Sequence, residues 1–506
     1  MSLSFLSKST SSFKTNYSML SRRLSRPLQM TVDTLNPKVL KTKYAVRGTV
    51  VIRSMEIEEE IRKNPNSYPF DKITSCNIGN PQVLKQKPIT FFRDVLSLVQ
   101  NPRLIDHPEA KNIFKGDVLE RAKEIMFHVP GGVGAYTHSQ GIPYVRECVS
   151  KFIEKRDGYA VDPNDIFLTG GASQGVKDIL TSLIRDNNDG IMISIPQYPL
   201  YSASIALLGG NQINYYLDEE NDWGLSRSEL DRAIQKPLES GVNVRAICVI
   251  NPGNPTGQCL SAESQKGIID FCLENNLVLM ADEVYQENVY YKKKKPFYSF
   301  RKIALDMGSK AKDLQMISFH SVSKGFIGEC GQRGGYYQTH GIPTDVKGQL
   351  YKMASISLCP NTGGQIMTSL MVNPPKKGEE SYNQYIQERD NIYNSLKRRS
   401  IKLANTFNAM EGVTCNMSEG ALYLFPNIRV PEKAKQEAKK KGINPSTLYA
   451  ISCLEQTGIC IVPGAGFGQK EGTFHIRTTF LPPEDQFDDV TRKLSEFHKK
   501  FMNKYR

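Results

Sequence analysis

The chain has 506 residues, of which 39% are hydrophobic and 23% charged, and a formal net charge of +13. That length is too great for one small core and points to two domains, and the composition excludes a disordered or fibrous chain. No apolar run is long enough to cross a membrane, and the basic excess is dispersed over the N-terminal tail, residues 292–295 and residues 433–441, so an anionic cofactor and substrates suit it better than nucleic acid does.

Residues 1–32 carry five basic residues, nine serines and no acid, the composition of an organelle transit peptide, and a mitochondrial address is expected with a cytoplasmic one as the alternative. Met30 is a candidate internal start. Residues 38–62 read as a short extended stretch with Gly48 that runs into a helix, an N-terminal arm. Residues 73–82 (ITSCNIGNPQ) read as a strand entering a Gly-Asn-Pro turn. After a glycine-rich segment holding Tyr136, a helix is expected from Pro143, with Val145, Val149, Phe152 and Ile153 on one face.

From Asp165 the pattern alternates. IFLTG (166–170), IMISI (191–195), AICVI (246–250), LVLMA (277–281) and Met316 to Phe319 are short unbroken apolar runs. Helical spacing lies between them, as in Val176, Ile179, Leu180, Leu183 and Ile184, and over 262–275. Repeated β-α units of this kind predict a mostly parallel sheet covered on both faces. Beyond residue 360 a long polar helix (380–410), strand signals at 421–425, 459–464 and 474–480, and a basic helix (485–504) predict a smaller α/β domain. The ten cysteines show no metal-finger spacing, and the seven histidines form no HExxH pair, so a metal is not expected.

The residues with chemical promise follow the C-terminal ends of the predicted strands, where open parallel sheets bind ligands. Gly171-Ala172-Ser173 joins a strand to a helix whose free N–H groups suit a phosphate. In NPGNPTG (251–257) two Asn-Pro turns present Asn254, whose amide suits a phenolate-like oxygen. Asp282 ends a strand, and a buried carboxylate there needs a cation such as a protonated pyridine nitrogen. Tyr285 is placed to bond a neighbouring ring oxygen, and Tyr198 to stack on the ring. Ser321-Val-Ser-Lys324 sets a lysine among small residues and near Arg333, the surroundings in which a lysine gives up its proton and forms a Schiff base, with Ser321, Ser323 and Arg333 left to hold a phosphate. Arg477, alone in an apolar strand, suits two-pronged capture of a carboxylate.

Taken together, Asn254 in NPGNPTG, Asp282-x-x-Tyr285, Ser321-Val-Ser-Lys324, Arg333-Gly and Arg477 resemble the fold type I pyridoxal-phosphate enzymes of the class I/II aminotransferase family, from about residue 40 to the end. KYAVRG (43–48), CNIGNPQ (76–82), GAYTHSQGI (134–142), SKGFIGECGQRGG (323–335) and SLCPNTGGQ (357–365) resemble its alanine branch. Many class I members place the phosphate arginine eight residues after the lysine, whereas Arg333 is nine after Lys324, as in the alanine branch.

The resemblance implies a large domain with a seven-stranded, mostly parallel sheet and a smaller C-terminal domain. The expected division is a tail (1–32), an arm with part of the small domain (33–120), a cofactor-binding domain (121–360) and a small domain (361–506). It implies pyridoxal 5'-phosphate on Lys324, with Asp282 at the ring nitrogen and Asn254 and Tyr285 at the ring oxygen. Ala172, Ser173, Gln174, Ser321, Ser323 and Arg333 would hold the phosphate, and Tyr198 the ring face. Tyr136 would reach the phosphate of a partner subunit in a homodimer, and Arg477 and Gly79 would meet substrate. The implied reaction exchanges L-alanine and 2-oxoglutarate for pyruvate and L-glutamate in two half-reactions, with glyoxylate as another acceptor or a lyase on the same scaffold as alternatives. A DNA-binding regulator on this scaffold would need a helix-turn-helix, for which the Ser-rich first 60 residues leave no room.

Overall fold

The computed structural model describes residues 30–44 and 48–506. The expected transit peptide, up to residue 29, and Ala45 to Arg47 of the KYAVRG motif lie outside the described residues.

Seven strands form the central sheet: β1 (Ile166–Thr169), β2 (Asp189–Ile195), β3 (Asn211–Tyr216), β4 (Asn243–Ile250), β5 (Val278–Asp282), β6 (Met316–Ser321) and β7 (Gly335–His340), in the order β1-β7-β6-β5-β4-β2-β3. All pairings are parallel except those of β7, which runs antiparallel to both β1 and β6. The unbroken apolar runs reflect burial on both faces. Ile191 and Ile193 pack with Val176, Ile179 and Leu180 on one side, while Met192 packs with Leu230, Ile268 and Phe271 on the other.

A second layer of helices, Thr90–Gln100, Gly116–His128, Pro143–Asp157 and Thr362–Val372, shares an apolar core with Ile166 and Leu168 of β1 and Tyr336 of β7, on the face of the sheet opposite Phe167 and Tyr337. The C-terminal part is built on helices Tyr382–Asn408, Pro445–Thr457 and Phe487–Tyr505 around a three-stranded antiparallel sheet, in which Ile476–Thr479 lies between Tyr423–Leu424 and Val462–Pro463. The chain start returns here. Thr74–Ser75 pairs in parallel with Ile459–Cys460, and Arg53 of helix Thr49–Lys63 reaches Glu455 at 3.3 Å. No described helix is long and apolar enough to cross a membrane.

The stretch expected to be extended from residue 38 is helical over Pro37–Lys41. Pro37 at the first helical position has its φ preset, and the Asn36 side chain accepts the Lys38 N–H at 3.0 Å. The strand signal at 73–82 is realised over only Thr74–Ser75.

Candidate active site

β1, β2, β4, β5 and β6 run in one direction, so their C-terminal ends open on one edge. A cavity of ≈ 130 Å³ lies there, lined by Ala172, Ser173, Tyr198, Asn254, Asp282, Tyr285, Ser321, Ser323, Lys324 and Arg333, with Leu200, Ile250 and Val284 as apolar walls. Larger clefts exist, one of ≈ 860 Å³ beside Lys151 and Lys377. The smaller one gathers residues from the ends of five strands.

Asp282 is the last residue of β5, in register with Ile250 and Phe319, and 5% exposed. The Tyr201 hydroxyl donates to its Oδ2 at 2.7 Å. Among the described residues no Lys, Arg or His pairs with it within ion-pair distance. Burial pushes its carboxyl up, and the Tyr201 bond, the Val284 N–H and the charge of Lys324 offset only part of that rise. A buried acid without a cation contact is unfavourable in the empty protein and suits a cationic ligand atom.

Asn254 and Tyr285 meet directly. Asn254 Nδ2 donates to the Tyr285 hydroxyl at 3.1 Å, and Tyr285 donates in turn to the Tyr423 hydroxyl at 3.2 Å. Lys324 Nζ points at Gly79, donating to its carbonyl at 3.5 Å, and lies 5.8 Å from the Tyr285 ring centroid. The Tyr198 hydroxyl is 3.0 Å from that of Tyr44, which comes from the N-terminal segment.

The anion-binding end forms around Arg333. This non-glycine residue has φ 52°, and the resulting turn lays its guanidinium against the loop after β1. Its Nη2 donates to Gly170 O at 2.8 Å and Ser173 Oγ at 3.2 Å, and Nη1 to Ser323 Oγ at 3.4 Å. Ser321 Oγ accepts the Ser323 N–H at 3.1 Å. Gly171 has φ 89° and opens the helix Ala172–Leu183, and a Cβ there would collide with Arg333. The helix N-terminus, hydroxyls and guanidinium converge as a phosphate requires.

Arg477 is 1% exposed and sandwiched between the Tyr423 and Phe467 rings, 4.5 Å from each centroid. It donates to Asn77 O, and at 3.3 Å to Asn254 Oδ1, while its Nε has no partner. A buried guanidinium with an unsatisfied N–H beside the Lys324 pocket is arranged to receive a carboxylate.

Two expected residues stand apart. Gln174 does not line the cavity; its Oε1 turns back to accept the Gly170 N–H at 2.7 Å and shapes the loop instead. Tyr136 is 79% exposed on the loop before Ile142, away from this chain's cavity. Sequence reasoning missed Tyr44, Tyr201 and Tyr423. Tyr201 follows Tyr198 by three residues, one helical turn, and that spacing was the available signal. Tyr423 becomes relevant only through a strand pairing that no local pattern announces.

The profile of the "Aminotransferase class I and II" family matches residues 110–494. A Dictyostelium discoideum protein named "Probable alanine aminotransferase, mitochondrial" is 53% identical over 496 residues, 97% of this chain and 92% of the relative. "Glutamate--glyoxylate aminotransferase 1" of Arabidopsis thaliana is 48% identical over 474 residues, 94% of this chain and 96% of the relative. Among solved structures, the alanine aminotransferase from Pyrococcus furiosus superposes with a TM-score of 0.71 at 22% identity, over 92% of this chain and all of that one, a likeness of fold.

Proposed function

The chain belongs to the class I and II aminotransferases, and we propose that it moves the amino group of L-alanine to 2-oxoglutarate, giving pyruvate and L-glutamate, with pyridoxal 5'-phosphate as cofactor. The observation that carries this reading is the 53% identity to a relative named alanine aminotransferase over almost the whole chain.

The residues present fit the cofactor. Asp282 is a buried acid awaiting a cation, Ser173, Ser323 and Arg333 form an anion cradle, and glycine at 171 keeps that cradle open. Bound there, pyridoxal phosphate supplies an aldehyde for amines and a ring that accepts the electron pair left when the α-proton departs. Asp282 holds the ring nitrogen in its cationic form, and Asn254 and Tyr285 hold the ring oxygen. Ala172, Ser173, Ser321, Ser323 and Arg333 hold the phosphate, Tyr198 covers the ring, and Gln174 keeps the 170–174 turn in shape. Lys324 would hold the cofactor's aldehyde end, and its free amine would take the substrate α-proton and return it to the amino-group acceptor, as general base and then acid. Arg477 receives the substrate α-carboxylate, and Gly79 leaves room beside Lys324 for the substrate to enter.

Tyr136, exposed on its loop, is assigned to the cofactor phosphate of a partner subunit, so the working unit is a homodimer. We place the protein in mitochondria, with support from the tail composition and the relative named mitochondrial. The 48% identity to a glutamate–glyoxylate enzyme supports glyoxylate as a second acceptor.

Steady-state assays with L-alanine and each of 2-oxoglutarate, oxaloacetate and glyoxylate test the reaction. Turnover fastest with 2-oxoglutarate is expected, and a protein inert with every pair would refute it. Arg477→Lys keeps the charge and loses the planar fork. It is expected to lower kcat/KM for L-alanine by roughly 10- to 100-fold, mostly through KM, the loss of about 1.5–3 kcal/mol of charged hydrogen bonding.

A further inference from the structure

Arg477 has few polar contacts to fix the plane of its guanidinium. It donates to Asn77 O and Asn254 Oδ1, and its Nε has no partner among the described residues. The plane is set instead by the Tyr423 and Phe467 rings on its two sides. Phe467 ends the short turn Gly464–Phe467, and His475 fixes that turn twice over. The His475 carbonyl accepts the Gly464 N–H at 2.7 Å. Its ring lies flat on Phe425, with centroids 4.7 Å apart and planes at 2°, and Phe425 meets Phe467 edge-on at 5.9 Å. His475 also precedes Arg477 by two positions and extends its strand through an antiparallel bridge to Asn427, so both side chains leave the same face.

His475 is 2% exposed, and its Nδ1 has no partner among the described residues. Its other ring nitrogen, Nε2, lies 3.0 Å from Oε2 of Glu219, in the loop after β3. The same carboxylate oxygen accepts from Asn427 Nδ2 at 3.2 Å, and the Glu219 carbonyl accepts from Asn416 Nδ2 at 2.8 Å. All three bonds therefore cross from the β3 loop to the C-terminal part of the chain. Trp223 of the same loop packs edge-on against the His475 ring, with centroids 5.7 Å apart.

We propose that Glu219 is a positioning residue for Arg477 that acts through His475. The carboxylate fixes the rotation of the imidazole on Phe425, and the packed rings carry that orientation to Phe467 and the guanidinium. This rests on the substrate-carboxylate role proposed for Arg477. A ring held by stacking alone still turns about its Cβ–Cγ bond, and a hydrogen bond at one edge stops it. Interiors are close-packed, so a turn of one ring displaces the next. A guanidinium fork grips a carboxylate with two bonds only when the two planes match. Without Glu219 a buried ring nitrogen loses its partner, which favours a turned ring and a shifted Phe467.

The test uses the full-length protein loaded with pyridoxal phosphate. The probe is glutarate, the 2-oxoglutarate skeleton without its keto oxygen, which binds through carboxylates and cannot react. Calorimetric titration gives its Kd, and steady-state assays give KM and kcat for L-alanine. Glu219→Ala is expected to raise both Kd and KM by roughly 3- to 10-fold with kcat little changed, the loss of one hydrogen bond. Glu219→Gln, whose amide oxygen still accepts from His475, should keep the parent values. His475→Phe keeps the stack on Phe425 and should match Glu219→Ala, and the double variant should be no worse than either alone. A Glu219 that only ties the two parts of the chain together would lower the melting temperature of Glu219→Ala and leave the Kd unchanged, and that result overturns the proposal. So would a glutamine variant as weak as the alanine one, or losses that multiply in the double variant. A parent that binds glutarate but transaminates nothing would overturn the proposed function instead, and the Kd series would still decide Glu219. A parent that binds no glutarate overturns the role of Arg477 and this proposal with it.

Discussion

Lys324→Ala is expected to lower transamination of L-alanine by about 10⁴-fold or more, the upper end of what a positioned general acid–base supplies. In the proposed mechanism the whole proton path depends on this amine, and among the described residues no other amine lines the cavity: the cations beside it, Arg333 and Arg477, are guanidinium groups that do not give up their protons. The structural cost should be small. Lys324 forms no ion pair with a described residue, and its hydrogen bond to Gly79 is long, at 3.5 Å. Removing it leaves no buried carboxylate unpaired, so the melting temperature should stay within a few degrees of the parent. Assays of the variant beside a thermal melt check both halves. Near-normal turnover would remove Lys324 from the mechanism, and loss of activity through unfolding would leave the residue a structural one.

Asp282→Asn should separate stability from activity in the opposite sense. Tyr201 can still donate to the amide oxygen, so the side chain keeps its place. What disappears is the negative charge. A ring cation left beside a neutral amide in a buried site loses about 3–5 kcal/mol, which converts to roughly two to four powers of ten in kcat/KM. The empty protein should gain. Burial raises the Asp282 pKa in the folded chain, so the fold favours the protonated acid. Stability on this account falls as pH rises from the unfolded value through the folded one, and above both the charged form carries a constant cost. The cofactor-free variant is therefore expected to melt higher than the parent at neutral pH, with the difference fading under acid. A variant as active as the parent, or one destabilised without cofactor at neutral pH, would contradict the role.

The sequence was most readable where one physical requirement dominated a segment. β2, β4, β5 and β6 are buried on both faces along most of their length and therefore mostly apolar, which exposed the parallel sheet. β3 and β7 lacked that signal. β3 lies at the sheet edge and buries only Ile213 and Tyr215. β7 is buried but carries Gln338 and Thr339, with Gln338 taking a hydrogen bond from Ser318 at 3.3 Å. Asn254, Asp282 and Lys324 were legible because each lies at or just after a strand end within a short motif, and Arg333 because it stands at a fixed spacing from Lys324. Tyr201, Tyr423 and Tyr44 were not, because their relevance depends on distant partners: Asp282 81 positions away, Tyr285 138 away and Tyr198 154 away. The resemblance implied a phosphate contact for Gln174, whose side chain instead accepts the backbone N–H of Gly170.

The central claim is that Lys324 holds pyridoxal phosphate and that L-alanine and 2-oxoglutarate exchange the amino group through it. The most direct measurement is the absorption spectrum of the protein loaded with pyridoxal phosphate, recorded before and after L-alanine and again after 2-oxoglutarate. The account predicts a visible band that moves to the near ultraviolet with L-alanine and returns with 2-oxoglutarate but not with oxaloacetate. No visible band with added cofactor would contradict the assignment of Lys324, and a band that L-alanine leaves in place would contradict the substrate.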